Sequence, residues 1–120
     1  MSTERVLRLN AHLQRELDAY LVKEFELPVG CLLTTEEVRV TGDLSHATVF
    51  VSIFPPQHAD TVLHTLADHS GTIRKAIAGR LNLRATPMLH FRLDEREARA
   101  EHINRVLDKA EREADSASKE

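Results

Sequence analysis

Residues 62–93 read VLHTLADHSGTIRKAIAGRLNLRATPMLHFRL, and the changes of rhythm along them decide the architecture. Val62, Leu63, Leu66 and Ala67 recur at helical spacing, and so do Ile73, Ala76, Ile77 and Leu81. Between the two stripes stands Ser70-Gly71. Glycine inside a helix costs about 1 kcal/mol relative to alanine, so a break or kink is expected there, with Ser70 placed to cap the second helix. From Leu83 to Leu93 the period falls to two, with Leu89, Phe91 and Leu93 inward and Met88, His90 and Arg92 outward. Pro87 cannot donate to a ladder, so it belongs near the start of that strand or on an edge. The unit is helix, kink, helix, strand.

Upstream, Ala47, Val49, Val51 and Ile53 alternate with Thr48, Phe50, Ser52 and Phe54, a strand that Pro55-Pro56 stops. Leu32–Thr41 is a second strand, and the turn chemistry of Thr41-Gly42-Asp43-Leu44-Ser45 joins the two as an antiparallel hairpin. Before them, Val6, Leu9, Leu13, Leu17, Tyr20 and Leu21 predict an amphipathic helix over residues 4–25, with Thr3 as its N-cap and Leu27-Pro28-Val29-Gly30 as its end. Arg5, Arg8, His12 and Arg15 share one flank of that helix. Downstream, residues 94–113 read as a polar helix carrying Ala98, Ile103, Val106, Leu107 and Ala110, and 115–120 as a frayed tail. A crossover through the two middle helices returns the last strand parallel to a hairpin strand, giving a three-stranded sheet with helices on one face.

The charge is placed unevenly. Residues 1–93 hold ten acidic and ten basic side chains, while 94–120 hold nine and six, so the net −3 belongs to the C-terminal segment. Between Asp68 and Asp94 no acid occurs, yet Arg74, Lys75, Arg80, Arg84 and Arg92 do, with His69 and His90 beside them. A block of one sign suits a phosphate-bearing partner; a solvated helix face explains it as well.

Several classes fall away. The longest uncharged run, Leu44–Ala59, alternates and meets Pro55-Pro56, so no transmembrane span is expected. The first five residues carry no apolar signal core, and a cytoplasmic location is the expectation. Cys31 is the only cysteine, which excludes an internal disulfide and a thiolate-rich metal site; its apolar neighbours mark an inert buried thiol. The seven histidines are scattered, and no pair has the spacing of metal ligands on one helix face. Glu36 and Glu37 are neighbours in a strand and so point to opposite faces, not into one carboxylate pair. Neither a phosphate loop nor a nucleophile elbow is present. An enzyme is therefore not expected, nor a cofactor, a metal or a small-molecule substrate.

Phe50 and Phe54 are the aromatics that could stack bases on a sheet, and cover by the last helix accounts for them equally. The kink offers another device. Ser70-Gly71-Thr72 opens a helix whose free N–H groups and dipole can take a phosphate, and Arg74 and Lys75 follow one turn in. The plainer reading is a simple break between two packed helices.

The segments Val38–Ser52, Ser70–Arg74 and Leu81–Asp94, in that order, resemble the bacterial ribosome-binding factor A family over nearly the whole chain. The resemblance implies an α+β, KH-like domain of the second type over residues 1–94, followed by a C-terminal helix and acidic tail over 95–120. It implies binding to free small (30S) ribosomal subunits, late maturation of their 16S RNA near its 5′-terminal helix, and a monomeric protein. The family's kinked turn of A-x-G type is here His69-Ser70-Gly71, with the glycine kept and the alanine replaced. The RNA-binding set expected from the basic block and the resemblance is Ser70, Gly71, Arg74, Lys75, Arg80 and Arg84, extended by Arg5, Arg8 and Arg15. The alternative is a protein-interaction module that uses an exposed strand edge or the last helix, with no nucleic acid involved.

Overall fold

The computed structural model describes residues 3–83 and 85–96. Helix α1 (Thr3–Glu24) is followed by strands β1 (Leu32–Val40) and β2 (His46–Phe54), a short 3-10 turn (Pro56–His58), helices α2 (Ala59–Asp68) and α3 (Ser70–Leu81), and strand β3 (Met88–Leu93). The expected helix over 94–113, the tail over 115–120 and the segment 95–120 as a unit lie almost wholly outside the described residues, and so does Arg84.

The sheet order is β1-β2-β3, antiparallel between β1 and β2 and parallel between β2 and β3. Alternation sets its buried face: Ala47, Val49, Val51 and Ile53 turn inward along β2, and Leu89 does so on β3. Leu13, Leu17 and Leu21 of α1, Val62 and Leu66 of α2, and Ile73, Ile77 and Leu81 of α3 close over them in one cluster. Such a face is what removes most apolar surface from water, at roughly 25 cal/mol per Å² buried.

Strand β1 changes phase once. Leu33 and Thr35 are buried before the bulge between Thr35 and Glu37, Val38 and Val40 after it. The extra residue lets both halves keep their apolar side chains inward. The outer edge of β1 is covered by α1. Asn10 Oδ1 accepts the Val40 N–H at 2.9 Å, Gln14 Nε2 donates to the Glu36 carbonyl at 3.0 Å, and Asp18 Oδ1 accepts the Thr35 N–H at 3.1 Å. Three side chains spaced four apart form one ridge of the helix, so they meet successive groups of a strand edge that would otherwise invite pairing with another chain.

Three local expectations need correction. Thr3 is already helical rather than the cap of α1. Ser70 is the first residue of α3, and the residue that separates α2 from α3 is His69, with no side-chain cap bond. The third strand begins at Met88, not Leu83, because Asn82 ends α3 in the left-handed conformation (φ 53°) and Leu83 and residues 85–87 belong to no helix or strand. Gly30 (φ +85°) supplies the conformation that the turn Pro28–Cys31 needs, closed by Cys31 N–H to the Pro28 carbonyl at 3.0 Å.

Candidate nucleic-acid interface

The junction of α2 and α3 is built by His69. Its backbone (φ −99°, ψ 8°) leaves the helical region for one residue. Its own N–H donates to the Thr65 carbonyl at 3.1 Å, and ring Nδ1 reaches the same oxygen at 2.9 Å. A carbonyl only accepts, so Nδ1 carries the proton. The ring also stands edge-on to Phe25, centroids 6.1 Å apart. The histidine thus folds back onto the end of α2 and adds a second bond to a carbonyl that its own N–H already holds.

Helix α3 then starts in the open. Its first internal bond runs from Ile73 N–H to the His69 carbonyl at 2.9 Å, which places the amides of Ser70, Gly71 and Thr72 in its first turn. Gly71 is exposed, and a Cβ built there meets nothing within 4 Å. The fold does not need a glycine at that point. The same turn borders a groove of about 720 Å³ lined by Gly71, Thr72, Arg74, Lys75, Ala78 and the loop residues Leu83, Ala85 and Thr86.

The expected cations divide into distinct groups. Lys75 and Arg15 are exposed and have no hydrogen-bond or ion-pair partner among the described residues. Arg74 is engaged: its Nε and Nη2 both donate to the Thr86 carbonyl, at 2.8 and 2.6 Å, joining α3 to the loop before β3. Arg80 leans over the Tyr20 ring at 5.4 Å and pairs with Glu16 at 3.7 Å, holding α3 to α1. Arg8 pairs with Glu4 at 3.0 Å, and Arg5 also has a partner.

These contacts fix the relative direction of the two helices. His69, at the start of α3, lies by Phe25, and Arg80, near its end, lies by Glu16 and Tyr20, so α1 and α3 run antiparallel. Arg5 and Arg8 are then roughly 25–30 Å from the kink along α1, at 1.5 Å per residue. The structure brings Ser70, Gly71, Arg74 and Lys75 together and does not bring Arg5 and Arg8 to them, while Arg15 is exposed on α1.

Sequence reading missed the pairing of His46 with His90 on the outer sheet face, Nδ1 to Nε2 at 2.9 Å with the rings stacked. The residues are 44 apart, and only the register that sets Thr48 against His90 brings them together. It also missed that Arg39 lies over Phe50 at 5.4 Å while paired with Glu37 at 3.1 Å, so that one face of this aromatic is occupied. Among the described residues no group of three or more metal-ligating side chains converges, and no helix is long and apolar enough to cross a membrane.

An antiparallel hairpin, a broken helix pair and a parallel third strand, with all helices on one face, define a KH-like α+β domain of the second type. The family model for ribosome-binding factor A matches residues 5–107. The chain belongs to that family. It is 36% identical over 127 aligned positions to ribosome-binding factor A of Gloeobacter violaceus, covering all of this chain and 98% of the relative. The crystal structure of ribosome-binding factor A from Thermus thermophilus superposes with a TM-score of 0.65 at 28% identity, covering 73% of this chain and 94% of that one. A Thermus thermophilus homology model, fitted into a cryo-electron-microscopy map of a complex with the 30S subunit, gives 0.61 at 31% identity, covering 71% and 90%.

Proposed function

We propose that this protein is a non-enzymatic ribosome-binding factor that associates with the free small ribosomal subunit through its ribosomal RNA. Its task in this reading is late maturation of the subunit and processing of 16S RNA near the 5′-terminal helix. The observation that carries it is the start of α3, where a first helical turn, a glycine that no internal contact demands and Lys75, without a partner among the described residues, border one groove. Amides at a helix start and a nearby ammonium are a phosphate site by charge and geometry. A factor of the same family fitted into a complex with the 30S subunit supports this partner. The reading through an exposed edge of β1 loses ground, because α1 already satisfies that edge.

The test is gradient sedimentation of extract from cells carrying the protein at native level, together with a strain that lacks it. Co-migration with free small subunits, and accumulation of small-subunit RNA unprocessed at its 5′ end in the deletion strain, are the expected results. Migration at the top of the gradient at every salt concentration would overturn the proposal.

A further inference from the structure

We infer that Arg74 is a positioning residue, whose fork holds the loop at residues 85–87 against α3 and so sets the width of the groove that Lys75 charges. The inference rests on the RNA reading above and assigns different work to two neighbouring cations. An arginine in the first turns of a helix beside a phosphate site would ordinarily be assigned to the phosphate. Here Nε and Nη2 converge instead on one backbone carbonyl, Thr86 O. Planar, preorganised donors of this kind fit a two-pronged bond that a lysine cannot copy.

Packing of Leu83, Thr86 and Pro87 seats this segment on the core, and the Arg74 fork adds a polar bond to it from α3. Asn82 has just ended α3, and the next ladder bond on the far side is Met88 N–H to the Ser45 carbonyl at 2.9 Å. Between these points Thr86 and Pro87 are buried, and the Thr86 hydroxyl has no hydrogen-bond partner. Among the described residues the Arg74 bond is thus the polar tie that crosses the groove from α3 to its opposite wall, where Leu83, Ala85 and Thr86 stand. Loss of the fork frees that wall; loss of Lys75 removes charge and leaves the wall in place.

The experiment compares Arg74→Lys, Arg74→Met and Lys75→Gln in the full chain. Affinity for purified free small subunits is measured against potassium chloride at fixed magnesium, and amide hydrogen exchange in the free protein. For Arg74→Lys, which keeps the charge, we expect faster exchange at Ala85, Thr86 and Met88 and roughly fivefold weaker binding, the equivalent of about one ordinary hydrogen bond. Arg74→Met should behave alike, with the salt slope of the wild type in both. Lys75→Gln should leave loop exchange alone and lower the slope by about one unit, as for one lost phosphate contact.

A slope about one unit lower for Arg74→Met with wild-type affinity for Arg74→Lys would overturn the inference and make Arg74 a phosphate ligand. Unchanged loop exchange in both Arg74 variants would overturn it as well. Faster exchange with wild-type binding in both Arg74 variants would leave a latch without a role in binding, and that also overturns it. If Lys75→Gln bound as the wild type too, the RNA reading of the groove would fail with it. A lower slope for Lys75→Gln would confine the failure to Arg74.

Discussion

Gly71 separates stability from binding, because the same open space that makes it dispensable to the fold makes it accessible to a partner. Replacing it with alanine adds a methyl group that meets no atom within 4 Å. Glycine to alanine inside a helix gains about 1 kcal/mol, and a first-turn position should return about half of that. For a domain of this size 1 kcal/mol moves Tm by about 4–8 °C, so Gly71→Ala should raise Tm by about 2–4 °C. Gly71→Glu should be at least as stable as the wild type, since a carboxylate in the first turn opposes the positive end of the helix dipole. Its effect on RNA runs the other way. A carboxylate roughly 6 Å from a phosphate, at an effective dielectric near 20, costs about 3 kcal/mol, and salt screening reduces this to something like half. Binding to free small subunits should therefore weaken about tenfold or more. The assays are thermal unfolding by circular dichroism and co-sedimentation of purified protein with small subunits. Wild-type affinity for Gly71→Glu would refute the phosphate site at α3, and a fall of several degrees for Gly71→Ala would show that the glycine is structural.

Asn10→Ala leaves the Val40 N–H without its acceptor, a loss of about 1–2 kcal/mol offset by about 0.5 from the better helix former. Tm should drop by about 4–8 °C, while Arg15→Ala on the solvent side of the same helix should leave it unchanged. Arg80→Ala should cost no more than about 1 kcal/mol in chemical denaturation and leave the salt slope of subunit binding alone, because Glu16 and Tyr20 already occupy this cation. A slope reduced by one unit would return Arg80 to the RNA face. Hydrogen bonds from Thr41 and Ser45 hold the Asp43 carboxyl down at about 2, below its ordinary 3.8. A depressed folded value means the turn's stabilisation is complete above about pH 4 and is lost as pH falls through about 2. Carboxyl chemical shifts followed by acid titration should place the Asp43 midpoint near 2, and a midpoint near 3.8 would discard those bonds.

The sequence alone determined the type of each described helix and strand, though not every boundary. Ala47, Val49, Val51 and Ile53 can share a face only in a strand, Leu13, Leu17 and Leu21 only in a helix, and a glycine between two apolar stripes announces the break between α2 and α3. Those readings needed only neighbours within four residues. What the tertiary structure decided is which polar groups are already taken. Arg74, Lys75 and Arg80 look alike along the chain, yet one is bound to the Thr86 carbonyl, one is open, and one is held by Glu16 and Tyr20. The bulge in β1 was equally hidden, since it records the mismatch between that strand and β2 rather than a property of either. The same holds for His46 against His90, and for Asn10, Gln14 and Asp18 against the edge of β1. Each requires the register between segments far apart in the chain. A side chain's partner is set by distance in space, and local periodicity carries no record of that distance.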